Sequence, residues 1–214
     1  MIVTIGGIKG GSGKTTVATN LAIMRATHGH DVLLVDADDQ ETATDFTTLR
    51  NERRDGGAGY TCIKLTGIAV RNEIKRLLHK YNDIVIDTGG RDTTSQRAAL
   101  TVADVLLVPF VPRSFDVWTL EKVSDLVDEI RSVNSTLRAF AFLNRADSRG
   151  QDNNEARSVL QESNSLQFLD TPLMARKAFS NAAALGLAVP ELHPSDDKAI
   201  DEITILFRYL YDIK

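Results

Sequence analysis

The sequence predicts an α/β protein, a single doubly wound domain in which helices flank both faces of a mostly parallel sheet. Short runs rich in Val, Ile and Leu alternate with longer amphipathic segments along the whole chain. The short runs are almost continuously apolar, as expected for strands that helices cover on both faces. The 214 residues are 43% hydrophobic and 25% charged, which is typical of one globular domain. We therefore expect one domain over residues 1–214, with its ligand at the carboxyl ends of the strands.

Six apolar runs of strand length are separated by turns or by amphipathic segments. Their high content of β-branched residues favours strands over short helices. In chain order, the predicted strands are "IVTIG", "DVLLVDAD", "TCIKL", "DIVIDT", "DVLLVPF" and "LRAFAFLN".

Three longer segments have apolar residues at the spacing of one helix face. The first follows the first strand, the second is "WTLEKVSDLVDEIRSV", and the third closes the chain over residues 196–211. The polar stretch "NRADSRGQDNNEA" is predicted to be a loop. The residues expected to face inward are Val17, Leu21 and Ala22 in the first segment, Leu120, Val123, Val127 and Ile130 in the second, and Ile200, Ile203, Leu206, Phe207 and Leu210 in the third.

Composition excludes several classes of function. The lone Cys62 cannot form an internal disulfide or a cysteine-based metal site, and its apolar surroundings predict a core position. The net charge is −4 and the isoelectric point is about 5.6, so binding of nucleic acid would need a local basic patch. No run approaches the ~18 apolar residues of a membrane span, and no export signal opens the chain. We therefore expect a cytoplasmic protein with no membrane partner.

The glycine-rich segment "KGGSGKTT" lies between the first strand and the first helix, which is where a phosphate-binding loop belongs. Glycines let the backbone turn tightly and aim its N–H groups at phosphate oxygens. Lys14 is expected to reach the β- and γ-phosphates, and Thr15 is expected to offer its hydroxyl to Mg²⁺. The spacing is one residue longer than in G-x-x-x-x-G-K-[ST]. The predicted nucleotide-binding residues here are Lys9, Gly10, Gly11, Ser12, Gly13, Lys14, Thr15 and Thr16.

This variant loop resembles the deviant Walker A motif of the ParA/MinD superfamily of ATPases. In order, "VLLVDADDQ" resembles the switch I segment of that family, "DIVIDTGG" its Walker B strand, and "DVLLVPFVPRSFDVWTLEKV" the next strand and helix. The tail "TPLMARKAFSNAAALGLAVPEL" is similar to the C-terminal third of the family. The resemblance implies a P-loop NTPase fold of the SIMIBI type, with ATP and Mg²⁺ as cofactors. Asp39 and Gly89–Gly90 stand where the family usually has prolines, and both changes are expected to loosen the switch segments.

The resemblance also implies a role for Lys9, which precedes Lys14 by five positions. In this superfamily the early lysine reaches the nucleotide of a second subunit, so that two nucleotides lie between two monomers. Two triphosphates repel each other, and a cation donated by each partner offsets that repulsion. We therefore expect a homodimer that forms only with ATP, with Lys9 and Lys14 among the catalytic residues.

Carboxylates close two of the predicted strands. Asp36 and Asp38 lie on the same side of the second strand, and Asp87 ends the strand "DIVID". By resemblance, Asp87 holds Mg²⁺ through a water, Asp38 orients the attacking water, and Asp36 supports the metal. Gly90 lies where a backbone N–H could contact the γ-phosphate. The predicted metal residues are Thr15, Asp36 and Asp87, and the third catalytic residue is Asp38.

The adenine pocket has two candidate walls. The family places adenine near the segment "FLNRADS", which makes Asn144 and Arg145 candidates by position. The segment "PELHP" over residues 190–194 is the second candidate.

The resemblance favours a short ParA-type partition ATPase of the ParF-like group. The nitrogenase iron protein needs two cysteines, the MinD type ends in a basic membrane helix unlike "DEITILFRYLYDIK", and no N-terminal DNA-reading domain is expected. Such ATPases bind DNA without sequence preference, associate with the nucleoid, and respond to a small centromere-binding ParB-type partner. The alternatives are a MinD-like or protein-cluster positioning ATPase and a metabolic ATP-dependent synthetase on the same fold.

Three clusters of basic residues are candidates for DNA contacts, although a solvated surface is the more common explanation for each such cluster. The family tends to use the region of "MARKAF", which makes Arg176 and Lys177 the first candidates. The helical segment "AVRNEIKRLLHKY" is the second cluster, and the third is diluted by neighbouring acids. The second cluster holds Arg71, Lys75, Arg76 and Lys80 against Glu73, and the third holds Arg145, Arg149 and Arg157.

Overall fold

The structure is a computed structural model that describes residues 1–55, 57–114, 117–147 and 151–212. It contains a seven-stranded sheet in which every pairing is parallel. The strands are β1 (Ile2–Ile5), β2 (Val32–Ala37), β3 (Thr61–Lys64), β4 (Asp83–Thr88), β5 (Val105–Phe110), β6 (Arg138–Ala146) and β7 (Gln167–Met174). Their order across the sheet is β3-β2-β4-β1-β5-β6-β7.

Eight α-helices connect or flank these strands in the described part of the chain. They are α1 (Lys14–Thr27), α2 (Thr42–Arg53), α3 (Ala69–Leu77), α4 (Thr94–Leu100), α5 (Val117–Arg131), α6 (Asp152–Gln161), α7 (Lys177–Ala184) and α8 (Asp197–Tyr211). Short 3₁₀ helices cover Pro112–Ser114 and Val189–Glu191. None of the helices in these ranges is both long and apolar enough to cross a membrane.

Successive residues of the central strands face opposite sides of the sheet, and each side has its own core. On one side, Leu34 and Leu107 pack with residues of α1, α7 and α8. On the other side, the neighbouring Val35 and Leu106 pack with residues of α3, α4, α5 and α6. Helices on both faces of a parallel sheet confirm the predicted doubly wound α/β class.

The six predicted strands and the inward faces of the three predicted helices are confirmed. In α8, for example, Ile203 and Leu206 are fully buried, and the Asp196 carboxylate caps the helix by accepting a hydrogen bond from the Ala199 N–H at 3.1 Å. One expectation was only partly right. Cys62 is half-buried rather than in the core, because it lies on the edge strand β3.

Two elements differ from the sequence-based assignment. β7 was not predicted: it is an edge strand whose polar residues alternate with buried Leu169 and Leu173, and it contains a proline. The stretch predicted to be a loop, residues 144–156, overlaps the end of β6 and the first half of α6, an otherwise polar helix that is anchored by the buried Ala156 and Leu160. Residues 148–150 of that stretch, including the candidate Arg149, lie outside the described residues, as do residues 115 and 116.

Candidate functional site

The glycine-rich loop connects β1 to α1 at the carboxyl edge of the sheet. Gly11 and Gly13 have φ angles of 73° and 86°, which side chains rarely adopt. A Cβ on Gly13 would also lie 2.4 Å from the Asn144 Nδ2 atom, whereas a Cβ on Gly10 would meet nothing within 4 Å. The loop is therefore closed on the side of β6 at Gly13, whereas a side chain on Gly10 would point into open space. The positive N-terminus of α1 follows directly after this loop.

Lys14 is buried in this loop, with only 6% of its surface exposed. Its ammonium donates a hydrogen bond to the Lys9 carbonyl oxygen at 3.0 Å. Burial lowers the pKa of Lys14, and the nearby carboxylates of Asp87 and Asp38 oppose that shift. The loop thus holds a cation in a poorly solvated position, where it attracts phosphate more strongly than it would in water.

Thr15 and Asp87 form the next part of the site. The Thr15 hydroxyl donates to Asp87 Oδ2 at 2.6 Å, and Asp87 is fully buried. Burial raises the pKa of Asp87 to about 7, and the charges of Asp36 and Asp38 add to this effect. Asp87 Oδ1 has no hydrogen-bond partner among the described residues.

This arrangement fits a magnesium site that depends on the nucleotide. An unsatisfied buried carboxylate oxygen beside a hydroxyl is a suitable pair of hard ligands for Mg²⁺ or for its bound water. Within the described ranges, no three His, Cys, Asp or Glu side chains come together as a preformed metal site. Phosphate oxygens and waters would have to complete the coordination, as is usual for Mg²⁺.

Asp36 is the β-sheet partner of Asp87 and is also fully buried. Its Oδ2 accepts hydrogen bonds from both the N–H and the hydroxyl of Thr44, each at 2.8 Å, and its Oδ1 accepts from the Asp38 N–H at 3.2 Å. Both oxygens therefore hold the segment between β2 and α2 in place. This position suits a supporting residue better than a direct metal ligand.

Asp38 and Gly90 lie at the ends of neighbouring strands, next to the loop. Asp38 is half-exposed, and its Oδ1 would lie 3.0 Å from a Cβ on Gly89. A Cβ on Gly90 would lie 2.5 Å from the Gly10 Cα, so the chain after β4 touches the glycine-rich loop directly. The predicted residues from β2, β4 and the loop are thus brought together.

The glycine-rich loop and the chain ends after β2 and β4 surround one open depression, which we call the phosphate cleft. Its lining includes Gly10, Lys14, Thr15, Asp38, Gly90 and Arg145.

A second depression, the side cleft, opens next to the phosphate cleft at the ends of β6 and β7. Its lining includes Asn144, Arg145, Leu173, Arg176, Lys177 and Phe179. Asn144 Nδ2 donates to the Ser12 carbonyl at 2.6 Å, and Arg145 has a positive φ of 53°. The side cleft is therefore the structural candidate for the base pocket, on the first of the two predicted walls.

The second predicted wall, residues 190–194, does not line either cleft. Instead, Glu191 accepts hydrogen bonds from the buried Arg50 at 2.7 and 2.9 Å, which attaches this segment to α2.

Lys9 lies half-exposed at the rim of the glycine-rich loop. Its carbonyl accepts from Lys14 and from the Ser12 hydroxyl, which fixes the backbone at this position. Lys9 and Gly10 also line a small recess with Val108 and Val123, so the loop leans on α5. The role of Lys9 toward a second subunit remains a prediction.

The basic candidates are placed in different surroundings. Arg176 forms two hydrogen bonds to Glu202 at 2.7 and 2.8 Å, whereas Lys177 is exposed. Arg157 pairs with Asp170. On α3 and just after it, Arg76 pairs with Glu73, while Arg71, Lys75 and Lys80 are exposed.

Sequence reasoning missed one buried positioning residue. Gln96 in α4 accepts hydrogen bonds through Oε1 from the Gly7 N–H at 3.1 Å and from the Thr88 hydroxyl at 2.9 Å, and so attaches the glycine-rich loop to β4. It is fully buried. Nothing in the local sequence around Gln96 signals this contact, because it depends on the packing of α4 against β4 and on the position of the loop after β1.

Residues 3–189 match the family described as "CobQ/CobB/MinD/ParA nucleotide binding domain". A relative from Gloeobacter kilaueensis, named "Maintenance of carboxysome distribution protein A", is 31% identical over 184 residues, which cover 85% of this chain and 80% of that protein.

Solved structures of other proteins share the fold, as two examples show. Cyanothece McdA(D38A) in complex with ATP has a TM-score of 0.82 and 18% identity. The match covers 100% of this chain and 96% of that chain. A putative plasmid partition protein from Borrelia burgdorferi B31, bound to AMPPNP, has a TM-score of 0.77 and 20% identity, covering 99% of both chains.

The family match spans most of the chain, and the glycine-rich loop, Thr15 and Asp87 lie together where a nucleotide-binding site requires them. The chain therefore belongs to the CobQ/CobB/MinD/ParA family of nucleotide-binding domains and is a ParA-like P-loop ATPase.

Proposed function

We propose that this chain binds Mg²⁺-ATP, pairs with a second copy in that state, binds DNA without sequence preference as a dimer, and resets by hydrolysing ATP. The observation that carries this proposal is the convergence of four groups on the phosphate cleft. Lys14, Thr15 and Asp38 line the cleft, and the buried Asp87 lies directly behind Thr15, from whose hydroxyl it accepts a hydrogen bond.

Each of these groups has a distinct task in the proposed reaction. The N–H groups of the loop and Lys14 hold the β- and γ-phosphates. Bound Mg²⁺ would neutralise charge on the phosphates, held by the Thr15 hydroxyl and, through water, by Asp87. Asp38 orients the water that attacks the γ-phosphate. The side cleft, with Asn144 and Arg145, takes the base and sugar.

Lys9 is the residue that links nucleotide state to pairing. A triphosphate with about four negative charges would repel a second one brought close to it. A lysine from each partner at the open rim of the cleft offsets this repulsion only while the γ-phosphate is present. Hydrolysis removes that attraction and separates the two copies.

Two cargoes are consistent with such a cycle. A DNA cargo, with a ParB-type partner at a centromere, is favoured by the fold shared with the Borrelia plasmid partition protein. A protein-assembly cargo is favoured by the relative named for carboxysome distribution. In both cases the ATP-bound dimer binds the DNA of the nucleoid. Lys177 and the exposed cations around α3 are the candidate DNA contacts.

The experiment that tests the proposal is gel retardation of non-specific duplex DNA with AMPPNP, ADP or no nucleotide, each with Mg²⁺. We expect retardation with AMPPNP only, and a steep loss of affinity as salt rises, since the contacts are to phosphates. Equal retardation in all three states would contradict it. ATP turnover that required a small carboxylic acid substrate, and did not respond to DNA, would favour the synthetase alternative instead.

The cargo is tested separately by plasmid retention. An unstable mini-plasmid is given this gene with its neighbouring reading frames. Stable inheritance that is lost in Lys14→Ala would favour a DNA cargo, whereas unchanged loss of the plasmid would favour a protein assembly.

A further inference from the structure

The strand order gives the phosphate cleft two different ends. The glycine-rich loop follows the central strand β1. On one side of it, β6 supplies Asn144 and Arg145 next to the side cleft. On the other side, β2 and β4 supply Asp38 and Gly90. A nucleotide whose base occupies the side cleft therefore directs its terminal phosphate toward the ends of β2 and β4.

Arg91 lies at this terminal-phosphate end. It lines the phosphate cleft and is exposed. The residue before it, Gly90, packs so closely on Gly10 that a Cβ would come within 2.5 Å of the Gly10 Cα and 2.6 Å of its nitrogen. The backbone of Arg91 is thereby held one residue away from the glycine-rich loop, although it belongs to a connecting segment.

The neighbouring carboxylate does not neutralise Arg91. Arg97 binds Asp92 through Nε at 2.7 Å and through Nη2 at 2.8 Å, and it also binds Glu129 at 2.6 Å. Asp92 is therefore already occupied by the guanidinium of another residue. This pairing directs the only acid next to Arg91 in sequence toward Arg97 of α4.

Within the described ranges, Arg91 itself forms no side-chain hydrogen bond and no ion pair. The carboxylates of Asp38 and Asp39 also line the phosphate cleft, and neither of them is paired with Arg91. Some other arginines do have acidic partners, for example the exposed Arg113 with Asp147 and the half-exposed Arg157 with Asp170. Arg91 thus presents an uncompensated guanidinium to a cleft that is built for phosphate.

We propose that Arg91 contacts the terminal phosphate of the nucleotide bound in its own chain, and that this contact makes the site prefer a triphosphate over a diphosphate. The inference rests on the nucleotide site of the proposed function, and not on pairing or on DNA. A guanidinium binds phosphate oxygens through two parallel N–H groups. ADP has no group at that position, so the contact contributes to ATP affinity alone.

The test compares the affinities of AMPPNP and ADP for Arg91→Ala and for the unchanged protein. Titrations are made by calorimetry with Mg²⁺, at protein concentrations where sedimentation shows monomers. Loss of one charge-assisted contact should weaken AMPPNP binding about tenfold and leave ADP binding within about twofold. Arg91→Lys keeps the charge but lacks the two parallel N–H groups of the guanidinium. It should therefore give an AMPPNP-to-ADP affinity ratio between those of Arg91→Ala and the unchanged protein.

Two arginines serve as matched controls. Arg145→Ala, at the other end of the same cleft, should weaken both nucleotides to the same extent. Arg138→Ala, at the amino end of β6 on the opposite edge of the sheet, should change neither. An unchanged AMPPNP-to-ADP ratio in Arg91→Ala would overturn the inference, as would a change that appears only where dimers form. If the proposed function is wrong, the protein without substitutions will not dimerise with AMPPNP. That result is independent of the affinity ratio of Arg91→Ala, so the two failures are distinguishable.

Discussion

At Asp87 a carboxyl group is fully buried with one oxygen bonded to Thr15 and the other without a partner among the described residues. Burial is the main reason that its pKa rises to about 7. Mg²⁺ reverses this situation, because a cation stabilises the ionised form that burial disfavours. The nucleotide-free protein therefore keeps a costly charge in its site above neutral pH, and binding relieves that cost.

Asp87→Asn should stabilise the nucleotide-free protein at pH 8. The folded pKa lies above the unfolded value, so the favourable contribution of protonated Asp87 is complete below about pH 4 and is lost as pH rises to about 7. The gain in free energy of unfolding should be on the order of 2–4 kcal/mol at pH 8 and should shrink toward pH 4. Urea unfolding across this range measures it, with the exposed Asp201→Asn as control. If the free energy of unfolding depended on pH in the same way for Asp87→Asn and for the unchanged protein, this account of the site would be contradicted.

Lys14→Ala should remove nucleotide binding without unfolding the protein. Among the described residues, the Lys14 ammonium donates one hydrogen bond, to the Lys9 carbonyl, so few fold contacts are lost. Losing charge-assisted bonds to two phosphates should weaken ATP by at least about a hundredfold in calorimetry. The exposed Lys198→Ala should bind as the unchanged protein does. ATP affinity retained in Lys14→Ala would mean that the glycine-rich loop is not the phosphate site.

Asp38→Ala should bind ATP but hydrolyse it slowly, because the attacking water is no longer oriented. A loss of about 10²–10⁴ in turnover is expected for a group of this kind, and the dimer should persist on DNA. Release of phosphate and release of DNA are the two measurements. Asp39→Ala, which alters the adjacent cleft residue, should keep most of the turnover. Rapid hydrolysis in Asp38→Ala would mean that another group orients the water that attacks the γ-phosphate.

The residues that sequence reasoning located are those with local signals. The glycines, Lys14 and Thr15 are recognisable because the loop motif is contiguous, and Asp87 is recognisable because it ends an apolar strand. Gln96 and the link from Asn144 to Ser12 were not predictable as loop supports. Their partners are distant in sequence and become neighbours only through the strand order.

At the scale of elements, α2 connects the nucleotide site to the C-terminal part of the chain. Its first turn is held by Asp36 through Thr44. Near its end, the buried Arg50 donates to Glu191 and to the carbonyl oxygens of Ala58 and Gly186 at 2.8 Å. Through these contacts α2 joins the switch segment after β2 to the segment before α8.

Glu191→Gln should destabilise the protein by about 2 kcal/mol or more, because it leaves the Arg50 guanidinium buried without a counter-charge. Arg50 is only 3% exposed. Glu41→Gln is the matched control, since Glu41 pairs with Lys64 on the surface and such pairs contribute at most about 1 kcal/mol. Urea unfolding of both variants gives the comparison. Equal, small losses would show that the buried pair does not hold α2 in place.

Elements with strong apolar patterns were predictable and weakly patterned ones were not. β2, β4 and β5 are buried along their whole length and were recognised from composition. α6 and β7 each have few buried side chains, because both lie toward one end of the sheet. For such elements the pairing with a neighbour decides the structure, and the sequence carries little local trace of it.

For the whole molecule, the strand order is the feature that local patterns do not reveal. The pairing of β1 with both β4 and β5 brings the loop after β1 beside Asp87 and opposite β6. The net charge of −4 shows that DNA binding cannot come from overall attraction. In the proposed cycle, DNA binding would come from a local basic surface or from two copies that combine such surfaces, which makes pairing the central step of the proposal.

Sedimentation velocity with Mg²⁺ and AMPPNP tests this central step most directly. The unchanged protein should sediment as a dimer with AMPPNP and as a monomer with ADP. Lys9→Ala should stay monomeric with AMPPNP while still binding it, and the control Lys198→Ala should dimerise normally. An unchanged protein that remains monomeric at high concentration with AMPPNP and Mg²⁺ would contradict the account.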